Sequence, residues 1–231
     1  MTHQKQKGFT LVEIAVVLVI IGLLLGAILQ GQQLIASARV QNLADQQSGI
    51  QAAYFGFLDR YGQIPGDMPQ EEADQAIRGE VLTGGNGNGI LEAPGEWEEL
   101  YAVWEHLAKA GFISGGYEGW QGEHSREDAP TNAFNGIVLL SRHDGYTTPQ
   151  GQTASPRLTY YFGNNVSADI ARELDVKLDD GRPNSGSLRH TAEQAGDPEP
   201  HEARSDNCVL EDENAWNIDP NPDSCNPVFL F

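Results

Sequence analysis

Apolar residues run from Phe9 to Leu29 with one charged interruption, Glu13, and beyond residue 40 they thin to a stripe at three- and four-residue spacing. The first stretch, uncharged from Ile14 to Leu29, approaches the roughly 20 residues that span a bilayer core. The second, Leu43, Ile50, Tyr54, Phe57, Leu58 and Tyr61, marks one face of an amphipathic helix laid on a globular domain. No proline or turn cluster separates the two, so the pattern predicts one helix from about Thr10 to Tyr61. At 1.5 Å per residue it would be roughly 75 to 80 Å long. Gly62, ahead of Pro65, should end it.

An ionised carboxylate in hydrocarbon costs on the order of 3 kcal/mol on insertion scales, so Glu13 should have a partner. Lys5 and Lys7 precede the run and an acid-rich region follows it, which places the amino terminus in the cytoplasm and the rest outside: one pass, N-in. A cleaved secretory signal would end in a small-residue site, and Gly26-Ala27 imitates one. The early carboxylate and the uninterrupted helical sequence beyond it argue that any cut lies before the run.

The residues Lys7-Gly8-Phe9-Thr10-Leu11-Val12-Glu13 resemble the leader junction of type IV pilin-like proteins, including type II secretion pseudopilins. The resemblance implies cleavage between Gly8 and Phe9 by a prepilin peptidase, N-methylation of the new Phe9 amine, and retention of the apolar segment as a filament core. It further implies other pilin or pseudopilin subunits and an inner-membrane assembly platform as partners. Glu13, one turn from Phe9, would neutralise an ammonium in low dielectric, its own or a neighbouring subunit's. Gly22 and Gly26 form a G-x-x-x-G spacing that lets helices approach closely, or are ordinary membrane-helix glycines. The first proline is Pro65, so any bend in the run would rest on Gly22, Gly26 and Gly31.

The expected organisation is therefore a leader at 1–8, a membrane and filament-core half-helix at 9–30, an amphipathic half-helix at 31–61, and an acidic periplasmic or extracellular head at 62–231. The fold class is α+β, a long helix packed on a head with a small antiparallel sheet, short helices and long loops. The whole chain of 231 residues carries a net charge of −19, and without residues 1–8 it has 12 basic against 33 acidic residues. That balance argues against nucleic acid, which requires clustered Lys and Arg, and favours cations, basic surfaces or plain solubility.

Within the head, Pro65-Gly66 suits a type II turn. Gly84-Gly-Asn-Gly-Asn-Gly-Ile-Leu-Glu92 has the alternating Asn of a calcium loop but Gly84 where an EF-hand needs Asp. Asn86, Asn88 and Glu92 could form a looser calcium site, or the stretch is a glycine-rich turn. Residues 94–110 read as a helix whose Trp97, Tyr101, Trp104 and Leu107 face a core, with His106 lacking any partner at ligand spacing. Residues 136–142 and 157–163 read as paired antiparallel strands, and 166–178 as a short helix. Asp175, Asp179 and Asp180 could hold a cation, or end that helix as solvated acids. Residues 194–207 are too polar to bury much. Asn226 to Phe231 should be buried as a final strand or against a neighbour.

Cys208 and Cys225 are the only cysteines and lie beyond the membrane in this topology, so they should form a disulfide. In the resembling families such a C-terminal loop is common in pilins and usually missing from major pseudopilins. No G-x-S-x-G, Walker loop, Cys-His pair or H-E-x-x-H appears, so catalysis is not expected.

Overall fold

The computed structural model describes residues 10–77, 79–91, 97–122, 127–149, 152–191 and 207–231. Gly8, Phe9 and Glu92, and residues 192–206, lie outside this set. The chain divides into two compact units, Met1–Arg39 and Val40–Phe231.

Helix α1 runs from Leu11 to Tyr61. It stops where Gly62, at φ +67°, donates its N–H to the Leu58 carbonyl. In the second unit its buried positions are Val40, Leu43, Ala44, Gln47, Ile50, Ala53, Tyr54 and Phe57. Their spacing of three and four is the stripe legible in the sequence.

The short helix α2, Gln70–Ala76, was not anticipated; it follows the Pro65-Gly66 turn, where Gly66 has φ +94°. Helix α3, Trp97–Lys109, places Tyr101, Trp104 and Leu107 at 0% exposure, as their spacing predicts. It ends with Gly111 N–H on the Ala108 carbonyl and Phe112 N–H on that of Leu107. Strands β1 (Leu139–His143) and β2 (Arg157–Tyr161) pair antiparallel, with Leu139 opposite Tyr161. Helix α4 spans Ala168–Leu178 and buries Ile170 and Leu174.

Three later elements complete the head: β3 (Leu188–His190), the hairpin β4–β5 (Val209–Leu210 with Ala215–Trp216), and β6 (Pro227–Leu230). The four-stranded sheet has the order β1-β2-β6-β3, with every pairing antiparallel. The apolar C-terminal segment thus lies inside the sheet rather than at its edge. Leu139, Tyr146, Tyr161, Val228 and Leu230 form one buried cluster on it. This is the α+β architecture expected, a long helix followed by a head with a small antiparallel sheet.

Candidate functional site

The first site is the N-terminal half of α1. From Leu11 to Ile35 its large apolar side chains are 46% to 87% exposed among the described residues. Gly22 and Gly26 likewise face open space, with nothing within 4 Å of a Cβ built on either. The helix is long and apolar enough to cross a membrane.

At its start, Thr10 and Glu13 form a reciprocal cap. Glu13 Oε2 accepts from Thr10 N–H at 2.8 Å and from Thr10 Oγ1 at 2.8 Å, while Glu13 N–H donates to Thr10 Oγ1 at 3.3 Å. This is the capping-box arrangement, which satisfies two otherwise orphaned helix donors and sets a negative charge on the positive end of the helix dipole. The signal, Thr followed three residues later by Glu, stands in the sequence. The cap gives Glu13 a local function besides the countercharge role expected of it. The expected partner, Phe9, lies outside the described residues.

In the head, several carboxylates are buried and served by backbone N–H groups. Asp67, 4% exposed, accepts from Asn88 N–H at 3.0 Å and Gly89 N–H at 2.8 Å, and Glu99 accepts from Asn86 N–H at 3.0 Å. The Gly-Asn-Gly-Asn-Gly loop therefore presents its donors to two acids that sequence reasoning did not single out. A Cβ at Gly85 would lie 2.3 Å from the Gly66 carbonyl, so only glycine lets the loop come this close. Asn86 and Asn88, named as calcium ligands, accept through Oδ1 from Asn88 N–H and Ile90 N–H. His106 is wholly buried and ties the same region to α3. Its Nδ1 accepts from Gly66 N–H at 3.0 Å, and its Nε2 lies 3.0 Å from the Thr83 carbonyl.

Asp175, Asp179 and Asp180 bring carboxylate oxygens within 4.8 Å of one another, as a hard cation would require. Each also has donors of its own. Asp175 Oδ2 accepts from the Trp216 indole at 2.7 Å and Oδ1 from Gly181 N–H at 3.1 Å. Asp179 Oδ2 accepts from Ser187 and Leu188 N–H, and Asp180 from Arg182 N–H and Ser185 Oγ. Burial foremost, with the charges of Asp180 and Asp179 behind it, pushes the Asp175 carboxyl up to about 6 against the pull of its hydrogen bonds.

Cys208 and Cys225 are joined in a disulfide, as expected from the sequence. The loop it closes carries β4–β5 and delivers Trp216 to Asp175. Its far end is fixed by Cys225 N–H on the Val166 carbonyl.

Residues 3–29 match the family described as "Prokaryotic N-terminal methylation motif". That match and the apolar helix support a membrane-anchored type IV pilin-like protein processed by prepilin peptidase and assembled with other pilin subunits. No curated protein and no solved structure matches the chain.

Proposed function

We propose that this protein is a subunit of a type IV pilus-like or type II secretion filament. It is processed after Gly8, inserted in the inner membrane with its amino terminus cytoplasmic, and assembled through α1 with the head outside. The observation that carries this reading is the junction motif joined to an apolar half-helix that none of the described residues covers. Burying such a surface is worth roughly 25 cal/mol per Å². A lipid bilayer supplies that burial before assembly, and neighbouring helices supply it afterwards.

The role is structural rather than catalytic in this reading. Asp67, Glu99 and Asp175 each accept from backbone or indole donors of the fold itself. Turnover of a polysaccharide panel by the purified protein would overturn that assignment.

Immunogold imaging of sheared filaments with an antibody to the head tests the proposal. Even labelling along the filament is expected. Labelling confined to tips would make it a minor subunit whose head contacts a ligand, surface or cargo, and labelling of the cell membrane alone would make it an anchor.

A further inference from the structure

A cleft of about 330 Å³ opens on the head between Glu80–Leu82 on one wall and Gly115–Glu118 on the other, with Lys109 of α3 at its base. One wall is pinned to Glu105 of α3, and the other is tied to the first through Thr83. Leu82 and Thr83 donate their N–H groups to the Glu105 carboxylate at 2.6 and 3.0 Å, and Trp120 N–H donates to Thr83 Oγ1 at 3.1 Å. Trp120 is further held against Tyr101 and Trp97, with ring centroids 5.2 and 6.3 Å apart. The cleft is therefore preformed, and a ligand entering it need not order its walls.

Its chemistry is amphipathic and anionic. Leu82 is 47% exposed, an apolar side chain with about half of its surface turned outward. The Tyr117 ring lies against the backbone at Gly115, where a Cβ would approach Tyr117 Cε2 to 2.3 Å; any other residue there would push the ring away. Glu80 and Glu118 are exposed on opposite walls, and among the described residues neither carboxylate has an ion-pair partner. Among the described residues lining the cleft, the one cation is already committed. Lys109 Nζ donates to the buried Glu105 carboxylate at 2.7 Å and to the Glu80 carbonyl, so the pair contributes no net charge.

We propose that this cleft is a docking site for an arginine or lysine side chain presented by a protein partner. An aliphatic stem would lie along Leu82, and the cationic head would sit over Tyr117 between Glu80 and Glu118. Each wall pairs an apolar group with a carboxylate, Leu82 with Glu80 and Tyr117 with Glu118, which matches a side chain with an apolar stem and a charged end, and the net charge of −19 adds long-range attraction for a basic surface. An anionic ligand would meet two carboxylates, and a neutral sugar would leave their charge uncompensated. The site does not depend on filament assembly, so its failure and that of the filament reading are distinguishable.

The test uses full-length protein in detergent micelles and fluorescence anisotropy with a labelled Gly-Arg-Gly-Arg-Gly peptide at about 150 mM salt, where diffuse attraction is screened. The peptide is expected to bind, with its citrulline counterpart and chitotetraose bound far more weakly. Tyr117→Ala and the double variant Glu80→Gln/Glu118→Gln should each weaken binding about fivefold or more, while Tyr117→Phe, which keeps the ring face, should retain it. Glu71→Gln/Glu72→Gln, exposed acids on α2, should leave it within about twofold. Thermal melts establish that each variant is folded. No binding, equal loss in the α2 control, tighter binding of chitotetraose, or indifference to Tyr117→Ala in a folded protein would each overturn the proposal.

Discussion

The two halves of α1 are the same regular helix with opposite surroundings. From Leu11 to Ile35 its large apolar residues are exposed, whereas Val40, Leu43 and Phe57 are at 0% or 1% exposure. Backbone hydrogen bonding makes both halves helical; what covers the side chains sets them apart. Among the described residues one half finds its cover within the chain and the other finds none. A substitution in the first should thus be read as folding stability, and one in the second as assembly.

The largest expected effect tests that division at Glu13. Glu13→Leu removes both charge and cap, and should abolish incorporation into filaments while leaving membrane insertion intact. Glu13→Gln is the sharper variant, since glutamine also serves as the capping-box partner three residues after the cap but carries no charge. Loss of sheared filament in both variants supports the countercharge role. Normal assembly of Glu13→Gln would reduce Glu13 to a helix cap.

Next comes a matched pair on the same helix. Phe57 packs against Tyr61 at 4.5 Å and against His106 and Phe112 at 6.2 and 6.1 Å between ring centroids. Phe57→Ala should destabilise the head by about 3–5 kcal/mol in urea unfolding. Leu24→Ala, on a residue 58% exposed, should leave it within about 0.5 kcal/mol. Similar losses in both variants would break the comparison.

The division also marks what could be read from the sequence. The apolar run, the α1 stripe, the β1–β2 pair, α4 and the buried C-terminal strand were legible because each follows from local periodicity. The Cys208–Cys225 bridge followed from count and topology. His106, Asp67 and Glu99 were not legible as a group, because their partners lie 13 to 40 residues away and are backbone N–H groups, which no side-chain pattern announces. Asp175 read either as part of a cation site or as a helix-ending acid open to solvent, and neither reading reveals its burial. Its burial depends on Trp216, 41 residues on, in a hairpin too short for periodicity to reveal. Local pattern exposes cover that a helix carries everywhere along it; it does not expose a single long-range donor.

The disulfide is the next test of the head's self-sufficiency. Cys208 and Cys225 are 17 residues apart, and opening a loop of that size should cost roughly 3 kcal/mol. Cys208→Ser/Cys225→Ser should lower the urea midpoint and loosen Trp216, read as a change in tryptophan emission. The Leu11–Ile35 half should insert into membranes as before.

The smallest effect lies in pH. Burial holds the Asp175 carboxyl at about 6, above its ordinary value, so the native state binds this proton more tightly than the unfolded chain does. Stability from this group is present at low pH and is lost as pH rises from about 4 to about 6. His106 acts in the opposite sense: burial foremost holds its imidazole below the ordinary value, so stability is lost as pH falls below about 6.5. Asp175→Asn removes only the first slope. The stability of the variant relative to the native chain should therefore rise between about pH 4 and pH 6 and stay level above it. Repeating the urea series in millimolar calcium separates the two readings of the acidic trio. An ion held between Asp175, Asp179 and Asp180 would relieve their repulsion and shrink the difference. Carboxylates already served by Trp216, Gly181, Leu188 and Arg182 leave it unchanged, and that is the result expected.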